Sequence, residues 1–263
     1  MSTALAGKRA LITGSTQGLG LAAAQRLAAS GCHVVINGFG EPGEVSALLQ
    51  DLKGRGEVQA IYSPADLKDP RQIENMVAQA VATLGGVDIV VNNAVVRHVA
   101  SVETLASADW DEGLAVNLSA AFHTIRLTLP GMKTRNWGRI VNVSSIYGLI
   151  GATNRIGYVT TKTALLGLTR AVALETTGYD ITCNAICPGT STTPVHEASV
   201  QALMDARQLA RADAERLLLV GKQPTGRLIS SSGAAALIAF LCGPDARDIT
   251  GASMPIDGGW SVR

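Results

Sequence analysis

Seven short runs of aliphatic and β-branched residues punctuate the chain: RALIT (9–13), CHVVING (32–38), VQAIY (58–62), VDIVV (87–91), RIVNVS (139–144), ITCNAIC (181–187) and ASMPID (252–257). Between them, stretches such as GLAAAQRLAAS (20–30) and PRQIENMVAQAVATL (70–84) place apolar residues at helical spacing. Strands that are apolar at nearly every position are those of a sheet buried on both faces. Their alternation with helices predicts an α/β fold, a doubly wound parallel sheet with helices on both faces. No Pro/Gly/Ser linker, low-complexity tract or internal repeat divides the 263 residues, so one domain spanning 1–263 is expected.

One segment interrupts this rhythm. Between Pro194 and Pro224 lies a polar, Ala-rich helical stretch, SVQALMDARQLARADAERLLLVGK, inserted after the sixth strand. Ligands of open parallel sheets bind beyond the carboxyl ends of the strands, so 194–224 is placed to act as a small helical lid. A surface excursion is the equal alternative.

Charge narrows the partners. With 22 Lys and Arg against 21 Asp and Glu and no block of like charge, the chain lacks the footprint of a polyanion binder, and no nucleic acid is expected. Cys32, Cys183, Cys187 and Cys242 follow no metal-type spacing and read as reduced core residues of a cytoplasmic protein, with no metal. The opening MSTALAGKRALITG runs directly into an apolar strand, so a secretory leader is not expected. No apolar run approaches bilayer length, and no membrane partner is expected.

Candidate chemistry begins at the end of the first strand, Thr13-Gly14-Ser15-Thr16-Gln17-Gly18-Leu19-Gly20, where a helix follows at once. Glycines there permit a tight turn and close backbone approach to a pyrophosphate, and the helix N-terminus supplies N–H groups and partial positive charge. At the head of a βαβ unit this favours a dinucleotide site over a plain turn. The second strand ends Ile36-Asn37-Gly38-Phe39-Gly40, with no acid before Glu41 and no Arg or Lys at 15–17 or 37–41. A 2′-phosphate would want such a cation, so NAD is expected rather than NADP.

In YVTTK (158–162), Tyr158 and Lys162 lie four apart on a helical run and share a face. A nearby ammonium lowers a tyrosine pKa from its usual value near 10, and such a phenol exchanges protons with an alcohol or carbonyl oxygen near neutral pH. Tyr-x-x-x-Lys also arises by chance, so the surrounding motifs decide its meaning.

Those motifs resemble the short-chain dehydrogenase/reductase family: TGSTQGLG as its glycine motif, Asn92-Asn93-Ala94 after the fourth strand, Asn117 upstream of the catalytic segment, Ser145 thirteen residues before Tyr158, Tyr158-x-x-x-Lys162, and Pro188-Gly189 after the sixth strand. The resemblance covers essentially the whole chain and implies a Rossmann-type fold. It implies Tyr158 as general acid in carbonyl reduction and base in alcohol oxidation. Lys162 would lower its pKa and bind the nicotinamide ribose, Ser145 would hydrogen-bond the substrate oxygen, and Asn117 would hold a water linking Lys162 to solvent. Spacing favours Ser145 over the adjacent Ser144. Gly14, Gly18 and Gly20 would contact the cofactor phosphates, Asp66 the adenine, Asn93 the ribose region and Thr193 the nicotinamide end. Thr16, Leu19, Phe39, Leu67, Pro188 and Gly189 would complete the cofactor site. Val95 departs from the family's usual glycine and adds β-branched bulk there.

VVINGFG, NLSAAFH, ITCNAICPG, LLVGKQP and the ending DGGWSVR look like the D-3-hydroxybutyrate dehydrogenase branch of that family, which is NAD-dependent and tetrameric. The apolar LSAAFHTIRLTLPGM and TALLGLTRAVAL fit a homotetramer. Where that branch holds a carboxylate with Gln, His and Lys, this chain has Arg97, Tyr147 and Arg155, and where it has Trp after Pro-Gly, this chain has Thr190. Arginine binds a carboxylate through paired hydrogen bonds. An anionic small-molecule substrate, a hydroxy acid bulkier than hydroxybutyrate, is expected. The alternatives are a reductase of uncharged cyclic or aromatic ketones, with both arginines facing water, and a cofactor-binding regulator without turnover. Intact Ser145, Tyr158 and Lys162 argue against the last.

Overall fold

The computed structural model describes residues 5–263, excepting the side chains of residues 194 and 195. Seven strands, β1 (Arg9–Ile12), β2 (His33–Asn37), β3 (Ala60–Ser63), β4 (Ile89–Asn92), β5 (Gly138–Val143), β6 (Ile181–Pro188) and β7 (Ser253–Ile256), form one sheet in the order β3-β2-β1-β4-β5-β6-β7. Every pairing is parallel, and each strand falls on one of the seven apolar runs. The helices are α1 (Gly18–Ala28), α2 (Pro42–Lys53), α3 (Pro70–Leu84), α4 (Ser107–Leu114), α5 (Ala120–Thr134), α6 (Ile156–Glu175), α7 (Pro194–Arg207), α8 (Arg211–Leu218) and α9 (Ser231–Cys242).

Side chains alternate across a strand, so the sheet divides its apolar residues between two cores. Ile12, Ile36, Val91 and Val141 pack on one face with Leu27 of α1, Leu52 of α2 and Ile238 of α9. Leu11, Val35, Val90 and Ile140 pack on the other with Ile73 and Met76 of α3, Ile125 of α5 and Val172 of α6. This is the Rossmann-type, doubly wound arrangement. It sends the carboxyl ends of all seven strands to one edge, with the order reversing between β1 and β4. All four cysteines are free and buried, and burial pushes the Cys32 and Cys183 thiols up to about 12. No helix among the described residues is long and apolar enough to cross a membrane.

The opposite edge is held by charge. Asp88, its side chain 3% exposed, accepts hydrogen bonds from the Arg9 backbone N–H (3.1 Å), Arg9 Nε (2.6 Å), Arg9 Nη2 (2.7 Å) and Arg135 Nε (2.9 Å). Burial opposes ionisation, but the Arg9 bonds and the two arginine charges outweigh it and hold the carboxyl below the usual range. Asp88→Asn is expected to cost about 3 kcal/mol, read as a lower urea midpoint. Because the folded pKa is depressed, that stabilisation is present above about pH 4 and is lost as pH falls through the folded pKa. An unchanged midpoint at neutral pH would contradict this.

The 194–224 stretch is helical, as its sequence reads. It is two helices, α7 and α8, broken where Gln208 takes a left-handed conformation (φ 51°). Val200, Ala214, Leu219 and Leu228 give the pair its own small core, which one straight helix could not close. Its base is tied down by the Ser191–Ile229 bridge and by a Thr192–Ser231 hydroxyl contact of 3.1 Å.

Candidate active site

Chain turns after β1, β4, β5 and β6 meet at the carboxyl edge. Gly14 is left-handed (φ 59°), and a Cβ there would lie 2.7 Å from Ala94 Cα. Asn93 staples the two turns together: its Nδ2 donates to the carbonyls of Thr13 (3.0 Å) and Gly14 (2.7 Å). A Cβ on Gly20 would overlap the Gly14 carbonyl oxygen and the Asn93 amide, so α1 seats against the turn only with glycine there. Gly18 differs, since its Cβ position (φ 59°) meets nothing within 4 Å. The N-cap residue of α1, Gln17, makes no side-chain cap bond, so the helix start between Thr16 and Leu19 presents backbone N–H groups beside open space.

Further along the edge, Asn37 turns inward. Its Nδ2 donates to Ser63 O (3.2 Å) and Ala65 O (2.9 Å), and its Oδ1 accepts from Gly14 N–H (3.3 Å). Phe39 follows, 71% exposed. Beyond β3, Asp66 accepts from the Lys68 backbone N–H (3.0 Å), Leu67 is buried, and Lys68 Nζ lies 3.6 Å from Asp66 and 3.4 Å from Glu112.

α6 carries Tyr158 and Lys162, both buried, on one face beneath the end of β5. Lys162 Nζ donates to the Val143 carbonyl (2.7 Å) and lies 5.8 Å from the Tyr158 ring centre. Ser144 donates to the Lys162 carbonyl (2.8 Å), which commits its hydroxyl to α6. Ser145 caps a short 3₁₀ turn (Ile146–Gly148), accepting from Tyr147 N–H (3.2 Å), and it is Ser145 that acts on the Tyr158 phenol. Burial alone would raise the phenol pKa; the charges of Lys162 and Arg97, with polar contacts from Ser145 and Arg97, lower it. Burial pushes Lys162 down, Tyr158 pulls it back, and Arg97 pushes it further down.

Asn117 sits in a single π-helical turn (Ala115–Ser119) between α4 and α5. Such widened turns recur at functional sites. Its Oδ1 accepts from Val96 N–H (2.8 Å), while Nδ2 donates to Val96 O (3.0 Å) and Thr161 Oγ1 (3.3 Å). Asn117 thus joins the segment after β4 to α6 one residue before Lys162. Val95 sits in that segment without a left-handed backbone.

Of the residues expected to hold substrate, Arg97 places its guanidinium carbon 5.3 Å from the Tyr158 ring centre. Tyr147 stands edge-on to Tyr158 at 6.3 Å, with the Arg155 charge near enough to act on its phenol. Thr190 is buried; its N–H donates to the Gln223 side chain and its carbonyl accepts from Ile229 N–H (2.9 Å). Pro188 ends β6, and a Cβ on Gly189 would meet Gln223 at 2.8 Å. Thr193 caps α7, accepting from His196 N–H (3.3 Å). Two neighbours escaped the sequence reading. Trp260 stacks edge-on against Tyr147 at 5.4 Å, and Gln223 ties Thr190 to the Arg227 carbonyl (2.6 Å). Both lie in stretches already marked by resemblance, Trp260 in DGGWSVR and Gln223 in LLVGKQP, but neither was singled out as a site residue.

Residues 8–203 match the family described as short chain dehydrogenase. The chain belongs to that family. This dehydrogenase is 42% identical over 256 residues to a D-beta-hydroxybutyrate dehydrogenase of Cupriavidus necator, covering 97% of this chain and 98% of that one. To one from Rhizobium meliloti it is 40% identical, over 97% and 99% of the two chains. Its fold superposes with a TM-score of 0.92 on L-sorbose reductase from Gluconobacter frateurii complexed with NADPH and L-sorbose, 27% identical over the whole of both chains. It is therefore an oxidoreductase acting on a hydroxyl group with a nicotinamide dinucleotide. The open cradle at Gly18 and the free start of α1 fit that cofactor's pyrophosphate.

Proposed function

We propose that this dehydrogenase interconverts the secondary alcohol and ketone of a small hydroxy or keto acid, using NAD. The observation that carries the reading is the pair Arg97 and Arg155: one lies over the Tyr158 ring and the other beside Tyr147, and among the described residues neither has a carboxylate within 4.0 Å. A substrate carboxylate would supply the missing partner.

In oxidation, the Tyr158 phenolate takes the alcohol proton while Ser145 hydrogen-bonds the same oxygen; in reduction, the phenol returns it. Lys162 stabilises the phenolate, and Asn117 holds the segment bearing Arg97 against α6. Gly14, Thr16, Gly18, Leu19 and Gly20 hold the phosphates, Phe39, Asp66 and Leu67 the adenosine end, and Asn93, Lys162, Pro188, Gly189 and Thr193 the nicotinamide end. When bound, the nicotinamide ring accepts hydride from the alcohol carbon or gives it to the ketone. The choice of NAD is supported by Asn37 turning away from the surface, by Glu41 as the first charge after β2, and by Lys68 being engaged with two carboxylates. Tyr147, with Trp260 edge-on against it, would bound the substrate beside Tyr158, Thr190 in place of an indole would leave that site roomier, and α7 and α8 would act as its lid on the single 1–263 domain. Phe122 and Leu174, exposed on α5 and α6 while Leu165, Leu166 and Val172 of α6 pack inward, support a homotetramer; a cytoplasmic setting is supported by the four free, reduced cysteines.

Hydroxy acids of increasing bulk and neutral secondary alcohols, each with NAD and NADP, test the reading by reduced-cofactor absorbance. A branched or ring-bearing hydroxy acid with NAD is expected to show the highest kcat/KM. Arg155→Ala should lower it roughly ten- to a hundredfold for the acid, the loss of one charge-assisted contact, and leave neutral alcohols nearly unchanged. Equal effects on both would favour the neutral-ketone reading, to which the L-sorbose reductase likeness points. Preference for NADP would overturn the cofactor choice.

A further inference from the structure

Arg97 is not placed like an ordinary surface arginine. The residue before it, Val96, has both main-chain groups bonded to the Asn117 side chain, and three residues on, Ala100 N–H donates to the Asn154 carbonyl (3.2 Å) in a bridge with Arg155. Its segment is thus anchored on both sides. The nearest acids in sequence are engaged elsewhere: Glu103 with the Ser101 hydroxyl and Asp88 with Arg9 and Arg135, while on α4 Glu112 and Asp109 lie 3.0 Å and 3.6 Å from His98. What the guanidinium meets instead is the Tyr158 ring at 5.3 Å, slightly closer to its centre than the Lys162 ammonium at 5.8 Å.

We propose that Arg97 is an electrostatic positioning residue for the reaction: a second cation that, alongside Lys162, sets the acidity of the Tyr158 phenol and so ties that acidity to the substrate's charge. The groups facing this phenol are Lys162 on its own helix, Arg97 after β4, and Ser145 and Tyr147 after β5, with Arg155 beside Tyr147. Cys187 on β6 faces Lys162, and His98 and Asp109 line the small cavity that reaches Tyr158 and Asn117. Of these, the cationic side chains are Lys162, Arg97 and Arg155, and the two arginines carry a permanent charge. Lys162 is buried beneath protein, whereas Arg97 is exposed and open to an incoming anion.

The consequence rests on the anionic substrate proposed above. With a neutral alcohol, Arg97 stays unpaired and favours phenolate, the proton acceptor that oxidation needs. A carboxylate paired with Arg97 cancels part of that field, the phenol holds its proton more tightly, and proton donation to a keto acid is favoured. Substrate class would therefore shift the pH at which each direction runs.

The test is the tyrosinate absorbance of the full-length protein titrated with pH, taken as wild type minus Tyr158→Phe to isolate this phenol, with and without butyrate as a carboxylate lacking the reacting oxygen. Each Arg97 variant is titrated against its own Tyr158→Phe partner. Arg97→Gln is expected to move the titration upward, Arg97→Lys to restore it, and butyrate to raise it in wild type but not in Arg97→Gln. On a neutral alcohol, oxidation by Arg97→Gln below its pH limb should fall roughly two- to fivefold, the size of an exposed cation–π contact, and recover above the limb. A merely structural residue would lower the rate equally at every pH. If Arg97→Gln titrates with the wild type, the inference fails. If the variant shifts the titration but butyrate does not, the electrostatic role stands and the anionic substrate is what fails.

Discussion

Tyr158→Phe is expected to lose at least a hundredfold in kcat, in both directions, while binding the reduced cofactor within a few-fold of wild type. Positioned acid–base catalysis contributes roughly 10²- to 10⁴-fold, and this substitution deletes the hydroxyl that carries the transferable proton. The ring remains, so its edge-on contact with Tyr147 at 6.3 Å and the seat of the Arg97 guanidinium should survive, and thermal stability should change little. Stopped-flow turnover with cofactor-fluorescence binding separates the two quantities. In wild type, a phenol whose pKa lies below the usual value near 10 makes oxidation rise with pH through a limb below pH 10 and makes reduction fall across the same range. Tyr158→Phe should erase that limb from whatever rate remains. Retention of most activity would remove Tyr158 from the chemistry.

Gly20→Ala carries the second large effect. Its new methyl group would collide with the Gly14 carbonyl and the Asn93 amide, which frame the turn proposed to cradle the phosphates. These atoms are held by backbone and by the Asn93 bonds to Thr13 and Gly14, so α1 or the turn must move. Overpacking of this kind costs about 1–3 kcal/mol in stability. If a comparable amount is lost from phosphate binding, the dissociation constant for the dinucleotide rises roughly tenfold or more, since about 1.4 kcal/mol is a factor of ten. Isothermal titration would read it. Gly233→Ala, exposed in the first turn of α9 where a Cβ would meet only the Ser230 side chain at an ordinary 3.8 Å, is the matched control and should stabilise by up to about 0.5–1 kcal/mol without touching affinity.

The contrast between these two glycines shows where sequence reading stops. Both are single glycines within or at the start of a helix; only the seating of α1 against the β1 and β4 turns makes one of them indispensable. The same holds at Ser144 and Ser145, adjacent in the chain: only the fold shows that the Ser144 hydroxyl donates to the Lys162 carbonyl while Ser145 faces the Tyr158 phenol. The 194–224 stretch reads as helical, but the position of its left-handed break at Gln208 is set by two short helices closing a core of Val200, Ala214, Leu219 and Leu228.

What the amino-acid order determined by itself was the parallel sheet, the glycine turn at the head of α1, and the shared face of Tyr158 and Lys162. Each depends on near-neighbour rules: strand and helix periodicity, the backbone freedom of glycine, and the pitch of a helix. What only the tertiary structure decided was the company those groups keep. Arg97 over the Tyr158 ring, Trp260 against Tyr147, Asn117 clamped to Val96 and Asp88 between Arg9 and Arg135 all join residues distant in the chain. They meet because the strand order brings separate turns to a common edge, and no local pattern records which side chains will face one another there.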